Sequence, residues 1–239
     1  MTTLYGEKSA LVLGAGGLGG PALLVLCEAG VGRLTCVEDG VVEGADLPWQ
    51  PLFRESDVGE RRSSSAAARL GQLFPEPTIE VVDGPLETAR LAELTARADV
   101  VLDCAADFGV KFLANDRAVA SGKPLVHGGI VRSTAQILTV APGTTGCLRC
   151  LYEAPPPPRA VPTCAEAGVL GPLAGLAGAL MGAEAVRLLS GERGHYAGRL
   201  VIYEARNARW RTVPVRPRPG CLTCGMPSAA LPGTAGAPP

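Results

Sequence analysis

Two Cys-x-x-Cys pairs constrain this chain more than any other feature: Cys147 with Cys150, and Cys221 with Cys224. Residues 151–220 lie between them. Each such turn delivers two thiolates to one side of a metal, so two turns complete a tetrahedral four-thiolate shell. A shell of that kind forces the end of the chain back onto its middle. It also leaves no open coordination position, which points to a structural zinc ion and not a catalytic one. Two redox-active dithiols, or a pair of disulfides, are the rival readings of the same spacing.

Composition narrows the partners. The formal net charge is −1 and aromatic residues make up 4% of the chain, so neither an anionic membrane surface nor nucleic acid is indicated. Apolar residues at 47% describe a sizeable core. The longest uncharged stretch, 167–183, is rich in Gly and Ala and falls short of the ~20 apolar residues of a membrane helix. It reads as a buried, close-packed helix. No leader segment is evident, and the chain reads as cytoplasmic. Cys27, Cys36 and Cys104 sit in apolar runs and read as small core residues.

Short apolar runs alternate with helix-like segments through the first 130 residues. Strands are predicted at 9–13, 33–38, 79–82, 100–103 and 124–128, with helices at 21–29, 63–73, 87–97 and 111–121. This alternation implies an α/β fold with a Rossmann-like, mostly parallel sheet covered on both faces. Antiparallel strands at 135–141, 199–204 and 210–215 extend the sheet, with Asn207 suited to a hairpin turn. The reading is a single unit over 1–225, with a nucleotide-binding half about 1–130 and an antiparallel, metal-binding half about 131–225. Residues 226–239 read as a disordered tail. Four consecutive prolines, Pro155 to Pro158, mark a surface crossover loop that leads to Cys164.

Gly14-Ala-Gly-Gly-Leu-Gly19 follows the first strand and opens a helix, the context that a nucleotide-phosphate turn requires. Gly14 suits the tight turn, and Gly16 lets the backbone approach phosphate at the positive end of the helix. Glu38 ends the second strand, where a carboxylate holds a ribose hydroxyl. A glycine-rich turn that binds nothing remains the alternative.

Beyond the glycine turn, ordered segments match a known family: Val41 to Gln50, Asp57-Val-Gly59, Asp99 to Phe108, Gly122 to Gly128, and both cysteine pairs. Over about residues 8–225 the chain resembles the E1-like adenylyltransferases of the ThiF/MoeB/HesA family. The resemblance implies ATP-dependent adenylation, with Mg, of the C-terminal carboxylate of a small ubiquitin-like carrier ending in Gly-Gly, by a homodimer. It assigns Gly14, Gly16, Gly17, Gly19, Glu38, Gln50, Arg62 and Asp107 to the nucleotide, and Arg62 to catalysis. Cys164 resembles the family's reactive crossover cysteine, which implies acyl or sulfur transfer through it after adenylation; a helix beginning near Ala165 would lower its thiol pKa. The family segment Asn-Leu-Asn-Arg-Gln stands here as Asp46-Leu-Pro-Trp-Gln50, so Trp49 replaces an arginine. The family's catalytic lysine falls on Arg62 and its metal-binding aspartate on Ala106, next to Asp107. These departures also support a second reading, a scaffold that binds a carrier or partner enzyme without adenylating it. A dinucleotide-dependent oxidoreductase would use the same glycine turn, but the paired cysteines argue against it. His127, His195, Lys111 and Arg132 carry no motif; the histidines read as structural, and the two cations, near the site's mouth, either as contacts to an acidic or phosphate group or as solvated charges.

Overall fold

Successive residues of the first strand point to opposite cores. The strand, β1 (Tyr5–Leu13), sends Ala10 and Val12 into one layer and Leu11 and Leu13 into the other, all at most 1% exposed. A strand buried on both faces must be apolar at every position, which is why 9–13 reads as an uninterrupted apolar run. The computed structural model of the protein describes residues 4–157, 160–161 and 164–225. The tail expected at 226–239 lies outside them.

Eight strands form one sheet: β1, β2 (Val31–Glu38), β3 (Thr78–Asp83), β4 (Val100–Asp103), β5 (Leu125–Val131), β6 (Thr134–Val140), β7 (Arg199–Glu204) and β8 (Arg209–Pro214). Their spatial order is β3-β2-β1-β4-β5-β6-β7-β8. The first five in that order are parallel, and β5 through β8 pair antiparallel. The strand order reverses at β1, between β2 and β4. In a parallel sheet that switch point is where the loops at the C-terminal ends of the strands open a crevice for a ligand.

Helices α1 (Gly19–Glu28) and α2 (Arg62–Leu73) cover one face, and α3 (Thr88–Arg97) and α4 (Phe108–Ala120) the other. Two short helices, α5 (Leu148–Leu151) and α6 (Cys164–Ala167), precede α7 (Gly171–Leu189), which packs along α1 and beneath β4 to β6. By length and composition α7 would cross a membrane, yet half of its most apolar window is buried within the protein. Glu184 in its middle is 3% exposed and accepts bonds from Thr139 Oγ1 at 2.6 Å and from the His195 and Tyr196 amides at 2.8 Å. A carboxylate bound to three donors of the same chain is a core tie, so α7 is a core helix.

Several boundaries differ from the sequence-based ones for identifiable reasons. Helix α4 begins at Phe108, ahead of Lys111, because the Asp107 side chain caps it by accepting from Val110 N at 2.9 Å. Helix α7 begins at Gly171, after 167, where Pro172 sits in the first turn and needs no N–H partner. In the β7–β8 hairpin the left-handed residue is Ala208 (φ 53°), while Asn207 accepts from Arg209 N at 3.2 Å.

Candidate nucleotide and metal sites

At the switch point β1 stops and turns sharply into α1. Gly14 adopts φ 101°, and a Cβ there would sit 2.9 Å from the Cys104 carbonyl oxygen, so only glycine fits. A Cβ on Gly19 would collide with the Gly14 carbonyl oxygen. Gly19→Ala is therefore expected to destabilise the protein by about 3 kcal/mol or more, because two backbone segments would have to part; chemical denaturation checks this. Glu38, at the end of β2, clasps the turn. Its Oε2 accepts from Ala15 N at 2.5 Å and its Oε1 from Asp39 N at 3.1 Å. Burial raises its carboxyl pKa, only partly countered by those two amides.

The opposite wall comes from residues 41–62. Asp46 and Gln50 are 5% and 2% exposed and lie one helical turn apart. Gln50 Nε2 donates to Asp46 Oδ1 at 2.6 Å, and Arg62 Nη2, at the start of α2, donates to Asp46 Oδ2 at 2.5 Å. The Glu43 amide also donates to Asp46 Oδ2, at 3.0 Å. Gln50 Oε1 faces Gly16, 3.2 Å from where a Cβ would lie, and this buried acceptor has no partner among the described residues. Trp49 donates Nε1–H to Ala45 O at 3.0 Å and lays its six-membered ring over Gly17. The same side chain touches Gly171 at the head of α7. The structure thus brings Gly14, Gly16, Gly17, Gly19, Glu38, Gln50 and Arg62 around one turn. Asp107 lies beyond β4, at the head of α4, with its Oδ1 committed to the α4 cap.

The four paired cysteines converge. Sγ–Sγ distances are 3.9 Å for Cys147–Cys150, 3.7 Å for Cys147–Cys221 and 3.4 Å for Cys150–Cys224, and all four atoms lie within 4.8 Å of one another. Zinc–sulfur bonds of about 2.3 Å in a tetrahedron place sulfurs about 3.8 Å apart. The donor set therefore fits a zinc-sized ion. Burial and the neighbouring Cys150 push the Cys147 thiol up to about 11. At Cys221 burial is outweighed by the Cys224 and Thr223 amides, which bring the thiol down to about 7. A cation among the four would favour the thiolate at each. Helix α4 anchors the knuckle: Asn115 Oδ1 accepts from Leu148 N at 2.8 Å, and Asp116 pairs with Arg149 at 2.8 Å and accepts from Thr223 Oγ1 at 3.1 Å. Cys27, Cys36 and Cys104 are free, as are all four cysteines of the cluster.

The family model described as the ThiF family matches residues 5–223. The chain belongs to the ThiF family. Among its relatives, the sulfur carrier protein adenylyltransferase of Thermus thermophilus is 42% identical over 224 residues, covering 92% of this chain and 83% of the relative. The SAMP-activating enzyme E1 of Haloferax volcanii is 40% identical over 219 residues, covering 92% and 81%. Among solved structures, E. coli MccB with ATP superposes with a TM-score of 0.81 at 20% identity, over 92% of this chain and 68% of that one. That likeness establishes the fold.

Against the ThiF frame, one cluster escaped the reading of the sequence. Asp103, at the end of β4, is fully buried, and His127 Nδ1 lies 2.6 Å from its Oδ2. Lys111 is 6% exposed; its Nζ donates to Gly128 O at 2.7 Å and lies 3.4 Å from Asp103 Oδ1. Lys111 is thus a core cation and not a solvated charge at the mouth. A carboxylate closing an all-apolar strand was the available signal, since it must find partners when buried. Burial alone would raise the Asp103 pKa, but Lys111 and His127 more than offset it and hold the carboxyl below its ordinary value. Burial dominates at His127 and keeps the ring below its ordinary 6.5. Both native pKa values are depressed, so both groups add stability above their unfolded values and lose it as pH falls. We expect wild-type stability to decline from pH 6.5 downward and His127→Gln to flatten that decline, measured by denaturant titration across pH.

Cys164 begins the four-residue α6, one residue ahead of the expected start at Ala165. The structure describes its backbone and not its side chain. Arg132, the other cation read as solvated, takes a left-handed conformation at φ 53° and pairs its backbone with Gly168 and Leu170.

Proposed function

We propose that residues 1–225 form one E1-like unit that adenylates the C-terminal carboxylate of a small ubiquitin-like sulfur carrier ending in Gly-Gly, using ATP. The observation that carries this reading is the glycine turn at the sheet's switch point, walled by Glu38, Gln50 and Arg62, in a ThiF-family chain. The named activity of the Thermus thermophilus relative supports it.

In the reaction, a carboxylate oxygen of the carrier bonds to the α-phosphorus of ATP. The bond from that phosphorus to the bridging oxygen breaks, and its electrons leave on pyrophosphate. Gly16 lets the backbone approach the phosphates, Glu38 retains lone pairs for ribose hydroxyls, and Arg62 meets charge that grows on the phosphates. Magnesium, when bound, adds Lewis-acid neutralisation of the phosphates. With alanine at 106, the adjacent Asp107 is the carboxylate that would hold it, through the oxygen not used in the α4 cap. The four cysteines would hold zinc, which would tie the Cys221–Cys224 turn to the Cys147–Cys150 turn and, with no open coordination position, would take no part in the chemistry.

Cys164 then takes the acyl group: its thiolate bonds to the carrier's carbonyl carbon and AMP departs, leaving a thioester. Cys164→Ala is expected to remove any thiol-sensitive carrier adduct while AMP transfer persists. A protein partner also suits the exposed apolar face of Leu176 and Trp210, the latter stacked on Tyr203 at 4.4 Å between ring centroids. The family resemblance extends to a homodimer working in the cytosol.

The test is mass spectrometry of Gly-Gly carriers incubated with the protein and MgATP. A carrier heavier by one AMP supports adenylation. The Trp49 ring packed over Gly17 favours a second reading, a scaffold without AMP transfer. ATP binding with no modified carrier would establish that reading instead.

A further inference from the structure

The Asp46–Arg62 pair needs an explanation of its own. A phosphate-binding arginine is most attractive when no carboxylate neutralises it, yet Asp46 lies 2.5 Å from Arg62 Nη2. Asp46 is 5% exposed, and three donors from separate parts of the chain fix its direction: the Glu43 amide, Gln50 Nε2 and Arg62 Nη2. Two further atoms of the same cluster are buried without a partner among the described residues, the donor Arg62 Nε and the acceptor Gln50 Oε1. A network so nearly complete, with one donor left over on Arg62 and one acceptor of Gln50 facing Gly16, is a half-built binding surface.

We propose that Asp46 is a positioning residue: it holds Nη2 of the Arg62 guanidinium and so aims the other N–H groups at the phosphates of a ligand on the glycine turn. This rests on the adenylation reading of the site. The arrangement weakens ground-state attraction for phosphate, because a negative charge stands beside the cation. It raises the rate, because an oriented donor is worth most where charge develops in the transition state. Asp46 makes no contact with substrate itself; its influence runs through Arg62.

The experiment compares four full-length proteins: wild type, Asp46→Asn, Arg62→Ala and the double variant. Asparagine keeps the shape and can still accept from the Glu43 amide, but it loses the charge. Each protein is titrated with inorganic tripolyphosphate, assayed for carrier-dependent ATP–pyrophosphate exchange with kcat and KM resolved, and melted. We expect Asp46→Asn to bind tripolyphosphate several-fold tighter, and exchange kcat to fall roughly tenfold or more through lost orientation. Both changes should vanish on the Arg62→Ala background, since a residue acting through another is non-additive with it. Unchanged kcat and affinity overturn the proposal. So do equal effects with and without Arg62, and a parallel fall of kcat, affinity and melting temperature, which marks a merely structural role. Wild type that binds tripolyphosphate but does not exchange sinks the adenylation reading alone; Arg62-dependent tightening then still supports positioning, and its absence overturns it. Wild type that binds no tripolyphosphate overturns positioning outright.

Discussion

Cys147→Ser is expected to abolish zinc binding at the four-cysteine cluster and release residues 216–225. Cys147 is fully buried and Cys221 is 2% exposed, so their sulfurs cannot turn to water when the ion is gone. Structural zinc contributes on the order of 10 kcal/mol of apparent binding free energy in small domains, and that energy is folding energy. Only part of it falls on global stability here. Asn115 and Asp116 would still hold α5 against α4, at 2.8 Å to Leu148 N and to Arg149. The Cys221–Cys224 turn has weaker ties, chiefly Thr223 Oγ1 to Asp116 at 3.1 Å and the Arg218 amide to Cys150 Sγ at 3.3 Å. It should leave first. Elemental analysis should find one zinc per wild-type chain and none in the variant, with new proteolytic cuts confined to the C-terminal end. Cys27→Ser, in the core away from the cluster, should keep the metal.

Arg62→Ala is expected to lower carrier-dependent ATP–pyrophosphate exchange by roughly 10²- to 10³-fold, the usual loss when one donor to a developing phosphate charge is removed. Arg62→Lys should recover part of that, since it restores the charge without the bidentate fork. The alanine variant also leaves Asp46 buried beside Gln50 without its cation, and breaking a buried pair destabilises by about 3–5 kcal/mol. Arg62 is a quarter exposed at its side chain, which places the loss toward or below the lower end. Exchange rates measured well below each variant's melting transition, at saturating ATP, separate the chemical loss from unfolding.

Much of this architecture was legible because burial on two faces leaves a plain signature. Leu11, Val12 and Leu13 had to be apolar in succession, and Val100 to Leu102 likewise, so the parallel strands could be placed from the chain alone. The glycine turn was legible because steric closeness excludes every other residue at Gly14 and Gly19. The cysteine pairs were legible because soft ligands at that spacing have few other uses. What escaped depended on pairings across the fold. Lys111 on a helix of mixed character looks solvated until β4 and β5 bring Asp103 and Gly128 to it. Asp46 and Arg62 are 16 residues apart, and no local periodicity joins them. Trp49 stands where the family has an arginine, and its ring lies on Gly17, which only the return of residues 41–62 makes possible. The start of α4 was displaced for a local reason, the side-chain cap of Asp107.

One measurement bears most directly on the whole account: exchange of labelled pyrophosphate into ATP, with a ubiquitin-like carrier ending in Gly-Gly and with the same carrier lacking its last glycine. Exchange that needs the intact carboxyl terminus is the expected result. ATP bound at the glycine turn with no exchange for any such carrier would contradict it.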